Sequence, residues 1–333
     1  MLRTCITAPD GDPAPWMNPI EIRSVSLLPP TALPNLSVRR ATGRPAHLFT
    51  VDVEEYFHAA ALERVVGEGR WGVMESRVEA SVDLLLEALE LHEARGTFFT
   101  LGWLAARRPG LVRRIAEAGH EVASHGWSHR RVTAMWPNDF RGEARRSKAA
   151  LEDACGGPVL GFRAPNFSLV RGWEWAFDIL LAEGYAYDSS VFSGRAGHPA
   201  DAPTAPYAVE RTPGTLWEVP LARARFGPAR VPAAGGAYFR LFPYALTRRA
   251  LRQAEARGEP AVFYLHPWEV DTGQPRLPVG PLTRVRHYGG LRSTAARLER
   301  LLAEFRFTSV AAALGLEAEP EVEAPALAAA EGA

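Results

Sequence analysis

The chain has 333 residues, enough for one large domain or two modest ones, and its 47% hydrophobic content is ordinary for a globular protein. Its 38 basic and 38 acidic residues balance, so no global field favours binding to nucleic acid or to an anionic membrane. The two cysteines, Cys5 and Cys155, form no CxxC pair, and no disulfide framework is expected.

The two ends of the chain are predicted to be unstructured. Residues 1–45 are rich in proline and alanine without periodicity, which is typical of a flexible leader, and residues 315–333 form a similar tail. The leader lacks the basic start and continuous apolar stretch of a signal peptide. No run of about 18 apolar residues predicts a membrane span. The expected location is therefore the cytoplasm.

Between these ends, strands and helices are predicted to alternate. Helix 76–95 has apolar residues at helical spacing and stops at Gly96, and helix 109–118 begins with proline in its first turn. The predicted strands are 48–54, 97–101, 120–124, 159–162, 185–188, 261–265 and 307–310, and the other helices are 138–154, 172–183, 243–257 and 294–304. Residues 193–236 are expected to form irregular loops and short hairpins. The alternation predicts a parallel sheet with crossover helices.

Two histidines and two acids carry the strongest chemical signal. His125 and His129 follow a predicted strand in the segment SHGWSH, and their spacing suits two ligands of one divalent metal on a helix or tight turn. Asp52 and Glu54 end another strand, and residues i and i+2 point to the same face. One carboxylate would bind metal while the other takes a proton from water. Because these groups follow strands, we expect them to share one site.

Five motifs resemble those of the polysaccharide deacetylases of the NodB-homology group, carbohydrate esterase family 4. They are TVDVE at 50–54, SHGWSH at 124–129, RAP at 163–165, DSS at 188–190 and LHP at 265–267. The first motif departs from the commoner pair of adjacent aspartates, since its second acid is Glu54, with Glu55 as a rival ligand. In the third motif, Asn166 stands where the family usually has an aromatic residue.

The resemblance implies a NodB-type distorted (β/α) barrel with parallel strands, formed by a single domain over residues 46–314. It also implies a hydrolase that removes N-acetyl groups from sugar residues of a polysaccharide. One divalent metal ion would be held by Glu54, His125 and His129. Zinc is expected first, with cobalt, nickel, manganese or iron as alternatives, because such sites accept all of them.

The resemblance further assigns roles to individual side chains. Asp52 would act as the general base, and His266 would protonate the leaving amine. Arg163 would orient Asp52 and keep it ionised, and Asp188 would hold the His266 imidazole. Asn166 is expected to lie at the substrate subsite. Three aromatic residues are expected either to stack on sugar rings or to pack in the core, Tyr238, Trp268 and Tyr288.

Further stretches resemble a narrower branch, the deacetylases found with exopolysaccharide and exosortase (PEP-CTERM) systems. They are DVEEYF at 52–57, GGAYFR at 235–240, HPWE at 266–269 and RHY at 286–288, and they mark a branch-specific part from residue 235 onward. This resemblance implies exopolysaccharide biosynthesis, a polysaccharide or lipid-linked oligosaccharide substrate, and peripheral association with exopolysaccharide machinery. The alternatives are a metal amidohydrolase acting on a small cyclic amide and a non-catalytic carbohydrate-binding or assembly protein.

Overall fold

A computed structural model describes residues 45–317, apart from positions 194, 200–201, 213 and 234. The leader and tail predictions therefore lie outside the described residues, except at positions 45 and 315–317. The strands are β1 His47–Val53, β2 Thr97–Thr100, β3 Glu121–Ser124, β4 Gly161–Phe162, β5 Tyr187–Asp188, β6 Tyr207–Arg211, β7 Gly214–Glu218, β8 Arg223–Phe226, β9 Ala229–Pro232, β10 Val262–Leu265 and β11 Phe307–Thr308. The α-helices are α1 Val78–Leu91, α2 Gly102–Arg107, α3 Pro109–Glu117, α4 Pro137–Cys155, α5 Trp175–Ala182, α6 Gly236–Leu241, α7 Tyr244–Glu255, α8 Pro281–Tyr288, α9 Leu291–Glu304 and α10 Val310–Leu314.

The central sheet is a nearly closed ring of parallel strands. Its order is β10-β1-β2-β3-β4-β5-β7-β6, and every neighbouring pair from β10 to β7 is parallel. A parallel bridge between Leu221, just after β7, and Val262 in β10 closes the ring. All seven residues of β1 are buried, as expected for a strand covered on both faces. The predicted single-domain, distorted (β/α) barrel is therefore confirmed.

The segment predicted to form irregular loops and short hairpins does contain hairpins, and it also supplies a barrel strand that was not predicted. Residues 193–236 hold two antiparallel hairpins, β6–β7 and β8–β9, and β7 is itself a barrel strand. The short helices α2, α6, α8 and α10 were not predicted. They have six, six, eight and five residues, fewer than the window in which helical periodicity stands out.

The packing of α2 against α4 fixes the loop that follows β3. A Cβ at Gly102, the first residue of α2, would meet the Cα of Ser147 at 2.8 Å, so only glycine allows this approach. At this distance the Gly102 N–H donates to the carbonyl of Gly126 (2.9 Å), and the Ser147 hydroxyl donates to the same carbonyl (2.9 Å). Helix α2 and helix α4 therefore hold the SHGWSH loop in place.

The barrel brings the predicted strand-end residues to one edge. β1 leads into Glu54, β3 into His125, β4 into Arg163 and β10 into His266. Because the strands are parallel, their carboxyl ends meet at the same mouth of the barrel. Among the helices of the described segment, none combines the length and apolarity needed to span a bilayer.

Candidate active site

Glu54, His125 and His129 form a compact group at the mouth of the barrel. One ligand atom of each lies within 4.8 Å of the others, and the Nε2 of His129 is 2.7 Å from the Oε2 of Glu54. The two imidazole rings have centroids 5.4 Å apart. A carboxylate and two imidazoles at this separation suit one divalent cation, as the sequence predicted.

The two histidines are brought together by a loop and not by a helix. Gly126 has a φ of 76° and His129 a φ of 55°, so the chain turns twice through left-handed conformations. Glu143 on α4 accepts hydrogen bonds from the backbone N–H and the hydroxyl of Ser128, both at 2.9 Å. The loop is thus anchored immediately before His129.

Neighbouring groups orient His125 and Glu54 so that their free donor atoms can bind a cation. The Nδ1 of His125 contacts the carbonyl oxygen of Arg163 at 2.9 Å, which places the proton on Nδ1 and leaves the Nε2 lone pair free. The indole N–H of Trp268 donates to Oε1 of Glu54 at 3.1 Å, whereas the buried Oε2 accepts no hydrogen bond within the described residues. The donor set and its orientation therefore fit a metal ion.

The protonation states agree with this fit. Burial alone would raise the pKa of Glu54, but the nearby His129, His266 and His125 hold it well below its usual range. Burial lowers the pKa of His125 to about 4. An ionised carboxylate and a neutral imidazole are the forms that bind metal.

Glu55, the rival ligand, points elsewhere. Its carboxylate accepts hydrogen bonds from the Ser76 hydroxyl and from the backbone N–H of Arg77 at 3.0 Å. These contacts tie it to the residues just before α1. The structure therefore places Glu54, and not Glu55, beside the two histidines.

Asp52 lies beside this group and is held by Arg163. The guanidinium Nη1 of Arg163 donates to Oδ1 of Asp52 at 2.7 Å and to the hydroxyl of Thr50 at 2.9 Å. Its Nε and Nη2 donate to the carbonyl and hydroxyl of Ser189, at 3.0 and 2.8 Å. Arg163 is fully buried, and the ring of Phe99 lies 4.0 Å from its guanidinium carbon. The predicted Asp52–Arg163 contact is present, with Oδ2 of Asp52 left for other partners.

His266 faces the same space but takes its carboxylate partner from its own segment. Its Nδ1 contacts Oε2 of Glu269 at 3.0 Å, and its backbone N–H donates to the same oxygen at 3.0 Å. The Nε of Arg240 donates to Oε1 of Glu269 at 2.5 Å. Arg240 and Glu269 are both buried. Because Nδ1 is the ring nitrogen that contacts Glu269, the other ring nitrogen, Nε2, is left to face Asp52 and Glu54 in the site.

This arrangement departs from the prediction for Asp188, which does not contact His266. Asp188 instead accepts from the backbone N–H and hydroxyl of Ser190, at 3.0 and 2.8 Å, and pairs with the carboxyl group of Glu218. Burial raises the pKa of Asp188 to about 6 and that of Glu218 well above its usual value, so the two share a proton. Ser190 then accepts from the N–H of Ala164 at 2.8 Å, which makes Asp188 a support for the Arg163 segment.

The four predicted substrate contacts have different surroundings. Asn166 lines the pocket, with a φ of 58°, and Trp268 also lines it. Trp268 is only 7% exposed, however, and stacks between His266 and His287. Tyr288 is buried, and its hydroxyl accepts from the N–H of Leu277 at 2.9 Å. The aromatic faces of Trp268 and Tyr288 are thus committed to packing.

Tyr238 also lies outside the pocket lining within the described residues. Its half-buried ring stacks on Phe242, with centroids 5.9 Å apart. Sequence reasoning missed Glu269 and Arg240 as site residues. A signal was present, because a glutamate three residues after His266 is the spacing at which the two ends of a capping box contact each other.

Two known families match separate parts of the chain. The family described as "Polysaccharide deacetylase" matches residues 74–171, which include His125, His129 and Arg163. The chain carries a polysaccharide deacetylase domain. This match agrees with the resemblance of the motifs to the NodB-homology, carbohydrate esterase family 4 group. A second family, described as "Domain of unknown function (DUF3473)", matches residues 189–315, which contain Arg240, His266 and Glu269.

Curated relatives of the deacetylase domain share short segments with it. The peptidoglycan-N-acetylglucosamine deacetylase PgdA of Listeria monocytogenes is 35% identical over 72 residues, which are 22% of this chain and 16% of PgdA. A chitooligosaccharide deacetylase of Sinorhizobium fredii is 35% identical over 103 residues, 31% of this chain and 45% of that protein. The matched segments thus span less than half of either relative.

Solved structures show a similar fold. A Mycobacterium smegmatis protein assigned to the polysaccharide deacetylases superposes with a TM-score of 0.53 at 24% identity, covering 84% of this chain and 88% of that one. The allantoinase PuuE superposes with a TM-score of 0.52 at 14% identity, covering 81% and 88%. Both likenesses concern the barrel fold alone.

Proposed function

We propose that this protein is a metal-dependent hydrolase that removes N-acetyl groups from sugar residues of a polysaccharide. One observation carries the proposal. The Nε2 of His266 lies 3.9 Å from Oδ2 of Asp52 and 3.8 Å from Oε1 of Glu54, so an acid, a base and a metal-binding carboxylate face one another. They line a pocket of about 110 Å³ that also contains His125 and His129. Amide hydrolysis needs these three kinds of group.

Each of these side chains would have a separate role in the reaction. A divalent cation held by Glu54, His125 and His129 would supply the Lewis acidity that activates water and polarises the amide carbonyl. Asp52, oriented by Arg163, would take a proton from the attacking water at Oδ2. His266 would give the proton on Nε2 to the leaving amine nitrogen as the C–N bond breaks. The products are acetate and the free amino sugar.

The choice of a glycan substrate draws on relatives and motifs. The curated relatives are named for deacetylation of peptidoglycan N-acetylglucosamine and of chitooligosaccharides. The proposal extends to exopolysaccharide biosynthesis and to a polymer or lipid-linked substrate handled in the cytoplasm at exopolysaccharide machinery. Its support is the set of branch-like stretches 235–240, 266–269 and 286–288, whose residues Arg240, Glu269 and His287 all line the pocket around His266.

The test is acetate release from N-acetylglucosamine oligomers by the purified full chain. It would be measured before chelation, after chelation, and after single divalent metals are added back. Asp52→Asn should lower kcat by roughly 10²–10⁴-fold while metal binding persists. Asp83→Asn is the matched control, because Asp83 is an exposed aspartate on α1 paired with Arg114 at 3.3 Å, and it should retain full activity.

Glu54→Gln and Glu55→Gln separate the ligand from its neighbour. Glu54→Gln should weaken zinc binding measured by chelator competition, whereas Glu55→Gln should leave it near the wild-type value. Loss of metal from the Asp52→Asn protein would instead place Asp52 among the ligands. Activity on small cyclic amides without acetate release from oligomers would favour the amidohydrolase alternative. Metal-loaded protein that binds glycan without hydrolysing either substrate class would indicate the non-catalytic alternative.

A further inference from the structure

The pocket lining contains positively charged side chains that the proposed chemistry does not use. Its lining contains three carboxylates, Asp52, Glu54 and Glu269, and three guanidinium groups, Arg195, Arg240 and Arg286. Arg240 is committed to Glu269, and Asp52 to Arg163 behind the pocket wall. Glu54 faces His129 at 2.7 Å. Each pocket carboxylate therefore already has a cationic or metal-binding neighbour.

Arg195 and Arg286 differ from the other arginines of the site. Within the described part of the chain, neither guanidinium has a carboxylate within 4.0 Å or a hydrogen bond, although Arg195 lies 5.7 Å from the ring of Phe167. Both side chains are exposed, so their guanidinium groups are open to a ligand from solvent. Two unpaired guanidinium groups therefore face the space beside the catalytic side chains.

The two groups also repel each other. Partial burial lowers the pKa of Arg195, and the positive charges of Arg286 and Arg131 lower it further, against the opposing effect of Tyr264 and Tyr238. The repulsion between two neighbouring positive charges is offset when an anion binds beside them. The free protein thus maintains an arrangement that an anionic ligand would stabilise.

The position of Arg286 is fixed by the same network that holds His266. The Nη2 of Arg240 donates to the carbonyl oxygen of Arg286 at 2.9 Å, and Nη1 donates to that of His287 at 3.0 Å. Arg240 in turn binds Glu269, the partner of His266. The backbone of α8 at Arg286 is therefore held relative to the reacting groups, and its guanidinium is attached to a preorganised element.

We infer that Arg195 and Arg286 form a subsite for an anionic oxygen group, a carboxylate or a phosphate, carried by the glycan beside the N-acetyl sugar. The planar guanidinium fork matches the paired oxygens of either group. The inference rests on the proposed function, because it names the substrate class of the same site. The substrate is then an acidic glycan, and the arginines select it over a neutral polymer of N-acetylglucosamine.

The experiment compares three oligosaccharides of equal length. One is neutral N-acetylglucosamine oligomer, the second alternates N-acetylglucosamine with glucuronic acid, and the third carries a terminal phosphate on a neutral oligomer. Binding to the metal-loaded full chain would be measured by calorimetry, and acetate release would be followed in parallel. An anionic oligomer should bind roughly tenfold more tightly than the neutral one, and the advantage should shrink with added salt.

Arg195→Gln and Arg286→Gln test the two arginines. Each should weaken binding of the preferred anionic oligomer about tenfold more than binding of the neutral one, with the change in KM and not in kcat. Arg284→Gln is the matched control, since Arg284 is an exposed arginine on the same helix that does not line the pocket. The Arg284→Gln variant should change neither the binding affinity nor the KM for either oligomer.

The outcomes separate this inference from the proposed function. Equal affinity for neutral and anionic oligomers, or equal losses for both in the two variants, would overturn the subsite even if acetate is released. Preferential binding of an anionic oligomer without acetate release from any of the three would keep the subsite and refute the deacetylase function for these substrates. Preference for the glucuronate oligomer would identify a sugar carboxylate, and preference for the third would identify a phosphate.

Discussion

Replacing Glu269 by glutamine tests the arrangement around His266 most directly. Oε1 of Glu269 accepts from Arg240 at 2.5 Å, and Oε2 accepts from the backbone N–H and the Nδ1 of His266, both at 3.0 Å. Glutamine offers only one acceptor oxygen. Whichever way the amide turns, its NH₂ group faces a donor, and the charge that balances Arg240 is lost.

The expected loss of unfolding free energy follows from the burial of the Arg240–Glu269 ion pair. Both partners of the Arg240–Glu269 pair are 1% exposed at the side chain, and removing one partner of such a pair typically costs about 3–5 kcal/mol of unfolding free energy. Glu259→Gln is the matched control, because it breaks a surface ion pair with Arg257 at 2.6 Å. An exposed pair of this kind contributes at most about 1 kcal/mol. Urea denaturation of both variants gives the comparison.

The Glu269→Gln substitution should also change the pH dependence of kcat. Burial alone would lower the pKa of His266, but the hydrogen bond to Glu269 and the charges of Glu54, Glu269 and Asp52 raise it to about 9. The protonated, acidic form is therefore lost only as pH rises through this value. In Glu269→Gln protein the pKa should fall, so the alkaline limb of the kcat profile should move to lower pH. At neutral pH kcat should fall about 10²-fold, with KM little changed.

A double variant decides whether Glu269 acts through His266. If it does, Glu269→Gln should add little to the loss already caused by His266→Gln, because the two side chains act as one unit. Fully additive losses would refute the reasoning. So would a Glu269→Gln protein that is folded, keeps the wild-type kcat and retains the wild-type alkaline limb.

Three further variants address the supports of the site. Trp268→Phe removes the indole N–H that binds Glu54 at 3.1 Å, so zinc affinity by chelator competition should fall about 10–100-fold, and unchanged affinity would contradict this role. Glu218 has a raised pKa, so the wild-type protein should lose unfolding free energy as pH rises through that pKa. In Glu218→Gln, whose amide donates as the protonated acid does, urea melts at pH 5.5 and 8.5 should differ less than in the wild type. Gly102→Ala would place a Cβ 2.8 Å from the backbone of α4, so it should lower the unfolding free energy by about 1–3 kcal/mol. Gly110→Ala is the control, because a Cβ there would meet no atom within 4 Å, and it should not lower the unfolding free energy. Equal melting temperatures for the two variants would contradict the close packing of α2 against α4.

The sequence predicted those parts of the site that depend on local rules. Asp52 and Glu54 end a buried strand with a two-residue spacing, and His125 follows another strand, so parallel order alone brings them to one edge. The loop conformation of His129 was not predictable in detail, because its positive φ is imposed by contacts of the loop with α2 and α4.

Other parts of the site and fold depend on contacts that strand order and helical periodicity do not encode. The partner of His266 is Glu269 and not Asp188, and Arg240 of helix α6 holds the Glu269 carboxylate in place. For Tyr288 the sequence left substrate contact and core packing open, because its hydroxyl bonds to Leu277, in a segment without periodicity. Strand β7 was missed because its five residues, Gly214–Glu218, follow a turn in a glycine- and proline-rich stretch and are too few to show a clear pattern.

The place of β10 in the ring has a consequence for synthesis of the chain on the ribosome. β10 pairs with β1, with Leu48 opposite Val262, although more than two hundred residues separate them. Until β10 emerges, one edge of the apolar strand β1 has no partner at that position, and such an edge is a template for aggregation. Non-local pairing of this kind is slow to form. A nascent chain that ends before β10 would therefore be prone to aggregate through this edge, and it would lack the histidine that completes the site.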